Sequence, residues 1–251
     1  MSVVTIVNTL RAAGCVFAED EARLLIDTAS GPADLDAMIG RRVAGHPLEH
    51  VLGWAEFAGL RVAVDPGVFV PRRRTEFLAD QAAALAHPGA VVVDLCCGTG
   101  AVGAAIHAAV AVDLHAVDID PAAVGCARRN VTGHVHEGDL YDPLPPDLRG
   151  RVDVLVANAP YVPTDSIGLM PPEARLHEPR VALDGGTDGL AIQRRVIAAA
   201  RTWLAPGGHL LIETSAQQAP HTAATYTRHG LRAHVATSAE VDATVVIGTP
   251  T

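Results

Sequence analysis

The stretch Asn158-Ala159-Pro160-Tyr161 carries residue types suited to holding a planar nitrogen group. It directly follows the apolar run 152–157, which predicts a buried strand, so the stretch lies where a strand ends and a loop begins. A neutral amide nitrogen is a poor nucleophile because its lone pair is delocalised into the carbonyl group. The side-chain carbonyl of Asn158 and the backbone carbonyl of Ala159 can accept both of its N–H bonds, and Tyr161 can cover its plane. Because Pro160 favours an extended conformation of Ala159, the carbonyl of Ala159 is kept in place. The stretch as a whole therefore suits catalysis at an amide or amino nitrogen.

Polar side chains also follow three earlier strands of the same predicted sheet. Asp94, Asp118, Asp139 and Asn158 are separated by 24, 21 and 19 residues, about one strand–helix unit each. Ligands of open α/β sheets bind at the carboxyl ends of the strands, so we expect these side chains to converge at one edge. At the end of the second strand, Asp118 can accept both hydroxyls of a ribose. At the end of the third, Asp139 can face an adenine amino group.

A turn with two glycines, Cys96-Cys97-Gly98-Thr99-Gly100, joins the first of these strands to an Ala-rich helix. Gly98 and Gly100 allow a ligand to approach the backbone closely. The turn lacks the full Gly-x-Gly-x-x-Gly spacing of dinucleotide sites, and the acid after the second strand suits either NAD or S-adenosylmethionine. Cys96 stands where many nucleotide-binding turns have a glycine, which predicts that this position needs no left-handed backbone. The turn and the Asn-x-Pro-Tyr stretch together indicate methyl transfer, while each alone is compatible with an ordinary turn.

Composition excludes several other classes of protein. The chain has 251 residues, 49% apolar and 19% charged, as in a globular protein with one large domain or one domain and a small appendage. Its 19 basic and 28 acidic residues give a net charge of −9, which argues against an extended nucleic-acid surface. No apolar run is long enough to span a membrane, and no signal peptide is recognisable, so we expect a cytoplasmic protein.

The cysteines and histidines do not show the spacing of a metal site. None of the 4 cysteines forms a Cys-x-x-Cys pair, which predicts reduced thiols. The 12 histidines do not cluster at ligand spacing, and His134 and His136 alternate within a predicted strand, where packing is the default role. No metal ion is therefore expected.

The chain divides into a helical first part and a strand–helix second part. Helices are predicted over 3–13, 19–29 and 32–44, a hairpin or two short strands over 50–70, and a helix over 75–85 with Thr75 as its N-cap. Strands are predicted over 90–95, 113–117, 134–137, 152–157, 209–214, 233–237 and 243–248, and helices over 101–109, 122–130, 190–204 and 217–229. This alternation predicts an α/β fold with a mostly parallel sheet. The domains are expected to be 1–74, helices and hairpin, and 75–251, the sheet domain.

The sequence resembles the HemK/PrmC family of protein-glutamine methyltransferases over nearly its whole length. The resemblance rests on the segments 51–57, 70–76, 94–100, 158–161, 178–186 and 188–190. It implies a Rossmann-like class I methyltransferase with a seven-stranded, mostly parallel sheet behind a small N-terminal helical domain that recognises the substrate. It further implies that S-adenosylmethionine is the methyl donor, and that the substrate is the glutamine of the Gly-Gly-Gln loop of a peptide-chain release factor or a ribosomal-protein glutamine.

The resemblance also implies roles for individual residues. The catalytic residues are expected to be Asn158, Ala159, Pro160 and Tyr161. Binding of the cofactor is expected to involve Asp94, Cys96, Cys97, Gly98, Thr99, Gly100, Asp118, Ile119, Asp139, Leu140 and Asn158. Substrate binding is expected to involve Arg72, Thr75, Glu178 and Pro179. The partner is expected to be a protein substrate bound by a monomer, with no stable nucleic-acid or membrane association.

Three departures from the family pattern leave alternatives open. Ala159 replaces the first proline of Asn-Pro-Pro-Tyr, Arg73-Arg74 replaces a proline and an acid, and Leu140 stands where some members have an aromatic residue. The arginine run is interpreted as a solvated surface, or else as a change at the mouth of the substrate site. The alternative functions are the same chemistry on another amide or small molecule, adenine methylation of nucleic acid, and a cofactor-binding protein without activity.

Overall fold

The computed structural model describes residues 1–251, and its first part is a small helical unit. This unit consists of α1 (Val3–Ala12), α2 (Ala18–Thr28), α3 (Pro32–Val43) and the short α4 (Leu48–Leu52). The helices bury a core of their own, which includes Ile6, Leu10, Leu25 and Met38. Each helix therefore turns one apolar stripe towards the others, as the helical spacing of the sequence predicts.

A hairpin connects this unit to the rest of the chain. Strands β1 (Trp54–Phe57) and β2 (Leu60–Ala63) pair antiparallel. The turn places Ala58 and Gly59 at φ 49° and 74°, the left-handed region that a two-residue hairpin turn requires. The predicted hairpin is confirmed, but the segment 68–70 forms no strand because it has no pairing partner, although Val68 and Val70 are buried.

The helix α5 (Glu76–Leu85) begins after a 3₁₀ turn, Arg73–Thr75. The prediction that Thr75 caps this helix is wrong, because Thr75 is itself helical at φ −71° and ψ −15° and its side chain makes no capping bond. Its hydroxyl instead accepts a hydrogen bond from the side chain of Asn158, over 3.3 Å. A residue expected to cap the start of a helix therefore takes part in a long-range contact.

The second part of the chain is built on one seven-stranded sheet of order β5-β4-β3-β6-β7-β9-β8. The strands β3 to β7 are parallel, and β9 runs antiparallel to both β7 and β8. The predicted α/β fold with a mostly parallel sheet is confirmed. The strands are β3 (Val91–Leu95), β4 (Asp113–Asp118), β5 (His134–Glu137), β6 (Val152–Ala157), β7 (Leu204–Glu213), β8 (Leu231–Ser238) and β9 (Ala243–Pro250), and the helices are α6 (Ala101–Ala109), α7 (Pro121–Asn130), α8 (Pro172–His177), α9 (Ala191–Trp203) and α10 (Ala219–Arg228).

The order of the strands reverses between β3 and β6. Both strands are fully buried or nearly so, because helices cover both faces of the sheet. Where strand order reverses, the helices on either side diverge and leave a crevice at the carboxyl ends of the strands. Asp94 of β3 and Asn158, directly after β6, both lie at this crevice. None of the helices has the length and hydrophobicity to span a lipid bilayer.

Candidate active site

One cavity at the carboxyl edge of the sheet brings together most of the residues that the sequence singles out. All four residues of the Asn158–Tyr161 stretch line it. Gly100 and Glu178 are the two predicted site residues that do not line it. The other predicted residues that line the cavity are Arg72, Thr75, Asp94, Cys96, Cys97, Gly98, Thr99, Asp118, Ile119, Asp139, Leu140 and Pro179.

The turn after β3 is left-handed at three positions. Cys96, Gly98 and Gly100 have φ of 57°, 55° and 77°. The prediction that Cys96 avoids the left-handed region is wrong, because the chain reverses directly after β3, and a residue with a Cβ there costs about 1–2 kcal/mol. A Cβ on Gly100 would lie 2.5 Å from Val131 Cγ2, whereas one on Gly98 would meet no protein atom within 4 Å. Gly100 is therefore needed for packing, while Gly98 leaves open space beside the backbone.

Asp94 is a buried carboxylate at the base of the cavity. Its Oδ2 accepts a hydrogen bond of 2.9 Å from the backbone N–H of Gly103, in the first turn of α6. Burial raises the pKa of Asp94 to about 7, and the nearby charge of Asp118 adds to this rise. A positive charge beside Asp94 would therefore be held strongly, since it would stabilise the ionised carboxylate.

Asp118 is held in place by the backbone. Its Oδ2 accepts from the N–H of Gly98 at 2.8 Å, and its Oδ1 accepts from the N–H of Asp120 at 2.9 Å. Burial raises the pKa of this carboxyl as well. Each oxygen keeps a second lone pair, so the fixed carboxylate can still accept two hydrogen bonds from a ligand.

Asp139 has a partner that sequence reasoning missed. Its carboxylate pairs at 2.7 Å with Arg195 of α9, which also lines the cavity. The two residues are 56 positions apart, and no local pattern marks Arg195 among the other arginines. Leu140, the next residue, is buried with φ 51° and presents an apolar surface to the cavity.

The cysteines of the turn are not activated nucleophiles. All 4 cysteines are free. Burial raises the pKa of both Cys96 and Cys97, and the carboxylates of Asp94 and Asp118 raise both further. Since the thiolate is the reactive form, these side chains act as small apolar groups.

Two hydrogen-bond acceptors without partners lie at the start of the Asn158–Tyr161 stretch. The Asn158 side-chain N–H group donates to the hydroxyl of Thr75, which fixes the orientation of the amide. Neither the side-chain oxygen of Asn158 nor the backbone oxygen of Ala159 accepts a bond from any protein donor. These two oxygens can therefore accept both N–H bonds of one planar amide.

Tyr161 is held by a charged pair. Its hydroxyl accepts from Arg74 Nη2 at 2.8 Å and donates to Glu213 Oε1 at 3.4 Å. Burial raises the pKa of Tyr161 to about 12, and Glu213 adds to this rise, so the phenol stays neutral. Arg74 of the arginine run is therefore partly solvated, with a side chain 46% exposed, and it also lines the cavity and holds Tyr161.

Glu213 is a functional candidate that the sequence analysis did not name. Its side chain is 2% exposed, its Oε2 has no hydrogen-bond partner, and burial raises its pKa. Glu213 is the last residue of β7, just as Asp118 is the last residue of β4 and Asp94 the last but one of β3. The rule that ligands bind at the carboxyl ends of the strands could therefore have identified it from the sequence.

Arg72 is anchored from behind by Glu178. The carboxylate of Glu178 accepts two bonds from Arg72, of 2.5 and 2.7 Å, and a third from the backbone N–H of Val70 at 3.3 Å. Glu178 is 6% exposed and lies behind the cavity wall. Its contact positions Arg72, whose own side chain lines the cavity.

Comparisons with known proteins agree with this geometry. The family model of the Methyltransferase small domain matches residues 59–169. A release factor glutamine methyltransferase of Geobacter sulfurreducens is 36% identical over 217 residues, which cover 81% of this chain and 74% of that relative. Another, of Mycolicibacterium smegmatis, is 38% identical over 221 residues, covering 84% and 78%.

A solved structure shows that the fold is shared. The structure of the E. cuniculi Mtq2–Trm112 complex matches with a TM-score of 0.54 at 21% identity, covering 74% of this chain and 99% of that one. The predicted class I methyltransferase fold is confirmed. With the relatives at 36% and 38% identity over most of both chains, the chain belongs to the release factor glutamine methyltransferase family.

Proposed function

We propose that this protein transfers a methyl group from S-adenosylmethionine to the side-chain amide nitrogen of a glutamine in a peptide-chain release factor. The observation that carries the proposal is the pair of free acceptors, Asn158 Oδ1 and Ala159 O, on the wall of a cavity that also holds Asp94 and Asp118. The curated relatives are named release factor glutamine methyltransferases, which supports the choice of substrate.

The residues of the acidic side of the cavity fit the proposed cofactor. S-adenosylmethionine carries a sulfonium and an ammonium charge, and the buried carboxylate of Asp94 would be stabilised by a nearby cation. The free lone pairs of Asp118 suit the two hydroxyls of a ribose, and the open space at Gly98 lets a ligand approach the turn. Ile119 and Leu140 offer apolar surface for a base.

The residues of the amide side fit a glutamine side chain. When bound, the cofactor would supply an electrophilic methyl group for transfer from its sulfonium to the glutamine nitrogen. Asn158 and Ala159 would hold the nitrogen by both N–H bonds, and Tyr161 would cover the plane of the amide. Alignment of this kind can contribute several kcal/mol, against an upper figure of about 7–11 kcal/mol. No strong base is required beforehand, because the nitrogen can lose its proton after transfer.

The N-terminal part, residues 1–74, is proposed to recognise the protein substrate, and residues 75–251 to carry the chemistry. Support comes from a contact between the two parts. Arg42 of α3 donates to Glu173 of α8 at 2.6 Å and to Glu21 of α2 at 2.6 Å. The segment after α8 contributes Pro179 to the cavity wall, so the helical unit is coupled to the mouth of the site.

The experiment is to incubate the protein with a purified release factor and S-adenosylmethionine and to measure the intact mass of the release factor. An increase of about 14 Da, the mass of one CH₂ unit, is expected. The matched control is a release factor in which the glutamine of the Gly-Gly-Gln loop is replaced by glutamate, which should gain no mass. If the cofactor binds but no release factor is modified, the proposed substrate is wrong.

A further inference from the structure

Three histidines and an aspartate meet where β5 pairs with β4, at the outer edge of the sheet. His115 and His134 are direct register partners, and His136 follows two residues later on β5. The ring of His115 lies 4.7 Å from that of His134 and 5.3 Å from that of His136, measured between centroids. Strand pairing therefore assembles a cluster that the spacing of histidines along the chain does not reveal.

The cluster brings three potential donor atoms close together. One donor atom each from Asp113, His115 and His134 lies within 4.8 Å of the other two. Asp113 Oδ1 is 3.6 Å from His115 Nε2. Around a tetrahedral zinc ion with bonds of about 2.0–2.1 Å, neighbouring donors are about 3.3 Å apart. The Asp113–His115 pair already approaches this spacing. The ring of His134 is stacked on that of His115 and is exposed, so metal binding requires this ring to rotate towards the other two donors.

His136 orients the buried member of the cluster. Its Nε2 lies 3.0 Å from His115 Nδ1, and His115 is only 5% exposed. With the proton on Nδ1, His115 donates to His136, and its Nε2 keeps a lone pair on the side of Asp113. Metal-binding histidines are commonly held in this way by a hydrogen bond from the other ring nitrogen.

We propose that Asp113, His115 and His134 bind one divalent transition-metal ion, with His136 as a positioning residue. Two imidazoles and a carboxylate suit zinc, cobalt or nickel better than magnesium or calcium, which prefer all-oxygen sites. Three protein ligands leave a fourth position for water.

The proposed site is separate from the methyl-transfer cavity. Its ligands Asp113 and His115 lie in the first half of β4, whereas Asp118 lies at its end, about 16 and 10 Å away along the strand. The strand β5 is short and pairs only with β4, and it leads into Asp139 and Leu140 of the cavity wall. A bound ion would join β5 to β4 and so stabilise the edge of the sheet.

The test is a titration of the full-length protein with zinc and, separately, with cobalt, whose visible spectrum reports the coordination. The wild type should bind one equivalent, with a cobalt spectrum of nitrogen and oxygen ligands and no sulfur charge-transfer band. His134→Ala and Asp113→Asn change exposed side chains and should each weaken binding at least tenfold. His136→Phe, which removes the acceptor for His115 Nδ1–H, should weaken it by roughly 10–100-fold.

The matched control is His221→Ala, an exposed histidine on α10, which should bind zinc as the wild type does. At one fixed zinc concentration, the Tm of the wild type and of the control should rise by the same amount, and that of His134→Ala should rise less. No saturable binding by the wild type would overturn the proposal. Equal affinity in the wild type, His134→Ala and Asp113→Asn would overturn it as well.

Discussion

The acidic half and the amide half of the cavity are built in different ways. In the acidic half, Asp94 and Asp118 are held by backbone N–H groups 9 and 20 residues away, within neighbouring strand–helix units. In the amide half, Asn158 contacts Thr75 across 83 residues, and Tyr161 contacts Arg74 across 87. The first half depends on local turn geometry and the second on how two distant segments pack. Substitutions in the two halves should therefore change different measured quantities.

The largest effect is expected from Asn158→Ala in the amide half. Removal of one aligned acceptor should lower the rate of methyl transfer by roughly 10²–10³-fold, by analogy with the loss of one fixed hydrogen-bond partner in other active sites. Initial rates with saturating cofactor measure this. Asn8→Ala, an exposed asparagine of α1, is the control and should keep the full rate. A rate loss below tenfold would mean that Asn158 does not hold the reacting amide.

Asp118→Ala should change the function of the acidic half and leave that of the amide half unchanged. Hydrogen bonds to a charged group contribute about 1.5–3 kcal/mol, so loss of this carboxylate should weaken cofactor binding by roughly 10–150-fold. Calorimetric titration with the cofactor measures the Kd. Binding of a release factor should change little, because Asp118 lies on the acidic side. Cofactor affinity within twofold of the wild type would contradict the assignment of Asp118 to the ribose.

Cofactor binding should weaken by about tenfold between pH 8 and pH 6. The pKa of Asp94 is about 7 in the folded protein, and a bound cation favours its ionised form. A site that must lose one proton to bind loses up to a factor of ten in affinity for each pH unit below that pKa. Titrations across this range measure the effect. In Asp94→Asn, binding should be weak at every pH and its pH dependence should disappear.

The carboxyl of Asp94 should also make the free energy of unfolding depend on pH, with a sign opposite to that of a salt-bridged acid. Between about pH 4 and its folded pKa of about 7, the folded protein holds a proton that the unfolded chain has released. The free energy of unfolding therefore falls as the pH rises through this window. Asp94→Asn, which removes the buried charge, should raise the Tm at pH 8 in the absence of cofactor. A lower Tm would show that the contacts of the ionised Asp94 carboxylate in the folded protein offset the cost of burying its charge.

The smallest effect is expected from Arg74→Ala, which removes the donor to the hydroxyl of Tyr161. One hydrogen bond contributes about 0.5–1.5 kcal/mol, so kcat/KM for the release factor should fall roughly 2–12-fold while the cofactor Kd stays constant. Tyr161→Phe should have a similar effect. The double variant should lose less than the sum of the two single variants, because both remove the same contact. Full additivity would mean that the two residues act separately.

The sequence predicted the acidic half better than the amide half. The strands that carry Asp94 and Asp118 were predicted within two residues, because buried parallel strands leave a continuous apolar signal. The rule that ligands bind at the carboxyl ends of strands then brought Asp94, Asp118 and Asp139 to one cavity.

The rest depends on contacts that no local pattern encodes. Thr75 has the residue type of a helix cap, but its hydroxyl is engaged by Asn158. Arg74 belongs to a charge run typical of a solvated surface, yet it holds Tyr161. Cys96 adopts a left-handed backbone despite its side chain, because the turn after β3 requires it. In each case, tertiary structure overrides a local preference of modest free energy.

The most direct test of the account is to locate the transferred methyl group by fragmentation mass spectrometry of a release factor treated with the wild-type protein or with Asn158→Ala. We expect one methyl group on the side-chain nitrogen of the Gly-Gly-Gln glutamine with the wild type, and at saturating cofactor a yield at least tenfold lower in the same time with Asn158→Ala. A methyl group at any other position, or an equal yield with Asn158→Ala, would contradict the account.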